Sequence, residues 1–152
     1  MIRLSDNFSL SEFTKSQTAI RRGINNNPTT AHRASMEALC LHILEPVRAH
    51  FGRPVRINSG YRSRTLNAAV GGSDTSQHSL GQAADIEVDG VDNRRLAKWI
   101  ENNLKFDQLI LEGAKRSDPN AGWVHVSYGH RMRRSVLTAS FPGPKYTNGI
   151  SA

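Results

Sequence analysis

Ser76-Gln77-His78-Ser79-Leu80-Gly81-Gln82-Ala83-Ala84-Asp85 runs directly into the apolar segment Ile86-Glu87-Val88. It places a histidine in a polar, glycine-containing run and an aspartate at the head of a strand-like stretch. A histidine at the lip of a loop and a carboxylate on the strand that follows can both turn toward one ion. Ala83 and Ala84 carry little bulk, so the backbone there can pass close to a metal or to a neighbouring strand. A catalytic zinc takes three protein donors and keeps a fourth position for water. The third donor we select is His125, in the strand-like run Gly122-Trp123-Val124-His125-Val126-Ser127 far along the chain. Spacing alone fits equally well a surface histidine and an ordinary strand-end aspartate.

The wider pattern is more specific. Ser76-x-His78-x-x-Gly81-x-Ala83-x-Asp85, followed by Trp123-x-His125, resembles the signature of the M15 peptidases, which are zinc D-alanyl-D-alanine carboxypeptidases and murein endopeptidases. Within that family the chain is most similar to small phage and prophage cell-wall peptidases. The likeness extends to Ile57-Asn58-Ser59-Gly60-Tyr61-Arg62-Ser63 and to Phe106-Asp107-Gln108-Leu109-Ile110, and it runs from Phe8 to Gly129 with the motifs in the family's order. It implies one Zn2+ per chain held by His78, Asp85 and His125. It also implies hydrolysis of a peptide bond in a peptidoglycan stem or cross-link peptide. Arg62 would bind a substrate carboxylate, since a guanidinium fork makes two parallel hydrogen bonds to such a group. Ser76 would contact substrate, although a serine before a loop histidine equally caps a turn.

Zinc would lower the pKa of a water to about 7, and peptide hydrolysis also needs a base to carry the proton to the leaving amine. Many family members place a carboxylate three residues before the last histidine ligand; that position here is Gly122. Glu112, at the end of the preceding strand, and Asp118, in the connecting loop, are the two acids that can substitute, and Glu112 is preferred. Asp107 and Glu87 are candidates for orienting a histidine ligand, and Trp123 for a wall of the groove. The missing carboxylate leaves a second reading open: a zinc-containing but non-catalytic module of the same fold that binds cell wall or protein.

At 152 residues the chain fits one domain. We expect that domain over residues 1–142, with 143–152 as a loose tail lacking an apolar pattern. A net charge of +7 and a pI near 10.2 attract polyanions. The mostly arginine charge is scattered from Arg3 to Arg134, with a cluster at Arg131, Arg133 and Arg134, and no nucleic-acid-binding motif accompanies it. No specific nucleic acid partner is expected, and a monomer is. No stretch is long enough to cross a membrane. Met1-Ile2-Arg3-Leu4-Ser5-Asp6 lacks the character of a secretory signal, so synthesis in a cytoplasm and action at the cell wall after release are expected. The one cysteine, Cys40, lies on an apolar helix face as an inert thiol.

Phe8-Ser9-Leu10-Ser11-Glu12-Phe13 predicts a short helix capped by Ser9 or Ser11. A polar loop through Asn25–Pro28 follows. A long helix from about Thr30 carries Met36, Leu39, Cys40, Ile43, Leu44, Val47 and Phe51 at helical spacing, and Pro46 should kink it or end its regular part. Strands are expected at Val55–Asn58, Ala83–Val88, Phe106–Leu111, Trp123–Tyr128 and Arg133–Phe141. Helices are expected at Arg64–Val70 and after the cap Asp92. Helices first and strands later indicate α+β with a small, mainly antiparallel sheet. The resemblance adds helices on one face and the metal in a groove on the other.

Overall fold

Reciprocal capping starts the first helix. The computed structural model describes residues 1–151, opening with the hairpin β1 (Arg3–Ser5) and β2 (Phe8–Ser9) and then helix α1 (Leu10–Thr14). Ser9 caps α1, and the Glu12 carboxylate accepts the Ser9 N–H at 2.7 Å, as a Ser-x-x-Glu pattern dictates. Phe8 and Phe13 are both buried. Helix α2 (Gln17–Arg22) lies where no apolar stripe marks the sequence. It buries only Ala19 and is bounded by the Ser16 side chain and a left-handed Gly23.

The long predicted helix is two helices, α3 (Thr30–Leu39) and α4 (Glu45–Phe51), joined by a π-helical turn over Cys40–Leu44. Met36, Leu39, Cys40, Ile43, Leu44 and Val47 are buried along it. Pro46 sits in the first turn of α4. It has no N–H to return to the preceding turn, and widening that turn accommodates the loss. Burial pushes the Cys40 thiol up to about 12, so it packs as an apolar group.

Strand β3 (Val55–Ser59), helix α5 (Arg64–Ala69), a 3-10 turn (Gln77–Leu80), β4 (Ala83–Val88), α6 (Asn93–Asn103), β5 (Gln108–Glu112), β6 (Trp123–Ser127), β7 (Ser135–Ser140) and β8 (Lys145–Asn148) complete the chain. The fold is α+β. Its main sheet has the order β3-β4-β6-β5-β7-β8, with every neighbouring pair antiparallel except the parallel β5–β7. Side chains alternate across a strand. Ala84, Ile86 and Val88, Leu109 and Leu111, and Val124 and Val126 join Leu96, Ala97 and Ile100 of α6 in one core. Asp85, Ile110, Glu112 and His125 occupy the alternate positions.

The expected loose tail is corrected by β8. Lys145–Asn148 pairs with β7 from Leu137↔Asn148 to Ser140↔Lys145, so a boundary after residue 142 falls inside the sheet. All four β8 residues are exposed. Backbone hydrogen bonds hold them, and those leave no trace in apolar periodicity.

The arginine cluster is partly built into the fold. Asp107, wholly buried just before β5, accepts from the Arg133 N–H at 3.0 Å, from Arg133 Nε at 2.7 Å and from Gln77 Nε2 at 2.8 Å. Arg134 donates to the Leu104 and Glu101 carbonyls and lies over the Phe106 ring. Burial alone would raise the Asp107 carboxyl, but these donors hold it below the usual carboxylate value. A depressed folded pKa gives stability that is complete above the unfolded value of about 3.9 and is lost as pH falls through the folded one. Chemical unfolding of wild type and Asp107→Asn should therefore differ most near neutral pH, with the gap closing below about pH 4. A gap independent of pH would contradict this.

Candidate metal centre and its groove

Antiparallel pairing of β4 with β6 sets Asp85 directly opposite His125. The 3-10 turn before β4 adds His78. His125 Nδ1 lies 3.0 Å and His78 Nε2 3.4 Å from the same oxygen, Asp85 Oδ1, and the three donor atoms lie within 4.8 Å of one another. The two separations are those of hydrogen bonds. A tetrahedral Zn2+ with ligand bonds near 2.0–2.1 Å sets its donors about 3.3–3.4 Å apart; the His78 separation has that length, and the His125 separation is shorter.

The second nitrogen of His78 is already committed. Its Nδ1 lies 2.7 Å from the Gly60 carbonyl; a carbonyl only accepts, so Nδ1 carries the proton and Nε2 presents its lone pair toward Asp85. A Cβ on Gly60 would stand 2.8 Å from the Phe13 backbone, so only glycine lets this strand end lie against α1 and deliver its carbonyl. Burial lowers the His78 pKa, against the pull of Asp85, which favours the neutral ligand form. Burial would raise Asp85, but the His125 and His78 imidazoles facing it outweigh that and bring the carboxyl well below the usual range. Two imidazoles and one ionised carboxylate are a donor set that fits Zn2+.

These residues lie in a groove of about 680 Å³ that Arg62, Ser76, Gln77, Ile110, Glu112 and Trp123 also line. Ile110 faces His125 across β5–β6, and Glu112 faces Trp123 two pairs further on. Trp123 Nε1 donates to Glu112 Oε2 at 3.0 Å. Burial, then the nearby Asp85 charge, raises the Glu112 carboxyl despite that hydrogen bond. Arg62 is drawn in by its backbone N–H, bonded to the His78 carbonyl at 3.2 Å. Its guanidinium Nε is buried without a partner among the described residues. Ser76 Oγ accepts the His78 N–H at 3.2 Å, so it caps the turn while also facing the groove.

Three expectations are corrected. Asp118 is exposed in a turn, accepts the Asn120 N–H at 2.9 Å, and does not line the groove. Asp107 orients no histidine; Gln77 and Arg133 take its oxygens. Glu87 shares the face of Asp85 but binds Asn58, Asn93 and Arg56. His130 is exposed; His42 and His50 stack on Tyr128 and Trp99, and His32 packs at a tilt against Tyr61. Sequence reading missed the Gly60 carbonyl, for which the glycine before Tyr61 was the available signal. It also missed Phe141 and Tyr146, which line the groove from the C-terminal hairpin.

Gly122 has φ +78°, and a Cβ there would stand 2.0 Å from the Glu112 carbonyl oxygen. The backbone at this turn therefore excludes any side chain. Gly122→Glu should lower the thermal midpoint; a variant as stable as the wild type would contradict the assigned turn geometry.

Site and sheet together define a candidate metal centre in a groove, and sequence comparison gives the family. The chain belongs to the Peptidase M15 family, whose model matches residues 6–127. It is similar to a zinc D-Ala-D-Ala carboxypeptidase of Streptomyces albus G, with 34% identity over 71 residues. That alignment covers 46% of this chain, and only 28% of the relative's length is spanned. Among the described residues no helix is long and apolar enough to cross a membrane.

Proposed function

We propose that the chain is a zinc-dependent peptidase that hydrolyses a peptide bond in bacterial peptidoglycan. The observation that carries this is the convergence of His78 Nε2, Asp85 Oδ1 and His125 Nδ1 in a groove that also holds Glu112, a half-buried carboxylate whose pKa is raised by burial. Family membership and the relative's name support Zn2+ as the metal. When bound, Zn2+ supplies a Lewis acid that polarises the scissile carbonyl and lowers the pKa of a water to about 7.

The chain's own groups do the rest. Glu112 takes the proton from the attacking water and returns it to the leaving nitrogen; its raised pKa suits both halves of that transfer. Trp123 holds the carboxylate by one oxygen and leaves the other free. Arg62, with unused donors in the groove, binds a peptide carboxylate, and Ser76 borders the same space. A positive net charge favours adsorption to an anionic wall, and a lytic role of phage or prophage type completes the reading. The non-catalytic alternative rests on Gly122; Glu112 in the groove supports the catalytic reading.

Glu112→Gln should keep one zinc per chain and its fold while losing about 10²- to 10⁴-fold in hydrolysis of purified walls; undiminished hydrolysis would reject the base. His78→Ala and His125→Ala should each hold well under one zinc per chain, and full occupancy in either would mean that other side chains bind the metal.

A further inference from the structure

The end of the groove near Gln108 is cationic in a way that peptide hydrolysis does not require. Arg131 and Arg133 both line it, and both turn toward Asp107, which is wholly buried. Arg133 spends its donors there, through Nε at 2.7 Å and a second nitrogen at 3.4 Å. Arg131 does not. One of its nitrogens lies 3.6 Å from Asp107 Oδ2, its side chain is 51% exposed, and it makes no side-chain hydrogen bond among the described residues. One buried negative charge thus anchors two positive ones, leaving a net positive charge and a guanidinium fork with free donors at the groove wall.

Position along the sheet sets what this fork can read. Ile110 pairs with His125, and Asp107 lies three residues earlier on the same chain. At ~3.3 Å per strand residue, that is about 10 Å from the metal ligands, two to three residues of an extended peptide.

We propose that Arg131, held by Asp107, is a specificity subsite for a second carboxylate of the substrate, carried two to three residues from the scissile bond and distinct from the one bound by Arg62. A planar carboxylate suits the free fork, whereas a carboxamide offers it only one oxygen. This rests on the peptidase reading for its substrate but not for its test.

The test uses a pair of synthetic stem peptides that differ only in a free or amidated α-carboxyl on the glutamyl residue. Calorimetric binding is measured on the zinc-loaded wild type, Arg131→Ala and Arg131→Lys, with kcat/KM followed in parallel. Wild type should prefer the free carboxylate by roughly tenfold. That ratio should fall toward one in Arg131→Ala and be partly restored in Arg131→Lys. The subsite is overturned by equal affinity for the two peptides in wild type, by an unchanged ratio in Arg131→Ala, or by no binding of either peptide. Selective binding without hydrolysis would instead sink the peptidase reading and leave the subsite standing.

Discussion

One cross-strand pair carries the site: Asp85 of β4 directly opposite His125 of β6. Their side chains share a face because the register sets them there, and a slip of one residue would send either one into the core. The same register sends Ala84, Ile86, Val124 and Val126 to the helix side. Burial of those apolar residues therefore fixes the alignment of two polar ones. Ile110 on β5, opposite His125, extends the arrangement and carries Glu112 into the groove. Placement of the metal donors is in this sense a by-product of core packing, and beyond the sheet it needs only the 3-10 turn that brings His78.

Electrostatics then sets what each group can do. Asp85 stays ionised although buried, because two imidazoles face it, while Glu112, with less compensation and with Asp85 nearby, is raised. Two carboxylates in one groove are thus driven in opposite directions, one toward permanent charge and one toward exchange of a proton, a division of labour expected of paired acids. Asp107 performs a third task. It is buried and paired with arginines, and it shapes the groove's far end without touching the metal donors.

Local chemistry made most of this legible. The α3–α4 apolar stripe, the Ser9 and Asp92 caps and the strands β3 to β6 follow from periodicity and capping, and His78, Asp85 and His125 from a motif whose donors the sheet brings together. What escaped depends on tertiary partners. Strand β8 buries nothing and rests on backbone bonding alone; α2 buries one alanine; and Gly60 acts through a carbonyl that every residue possesses. Asp107 misled because an acid in the family-like run Phe106–Ile110 reads as a partner for a histidine ligand until Gln77 and the arginines arriving later in the chain are seen to claim it. Gly122 looked like a lost catalytic group, and the backbone shows instead a turn that no side chain can occupy.

The most direct test is zinc K-edge X-ray absorption, combined with anomalous diffraction, on the purified metal-loaded protein. One zinc bonded to His78 Nε2, His125 Nδ1 and an Asp85 oxygen is the expected result. Zinc bound elsewhere, or a protein that takes up no zinc with these three side chains intact, would contradict the central claim.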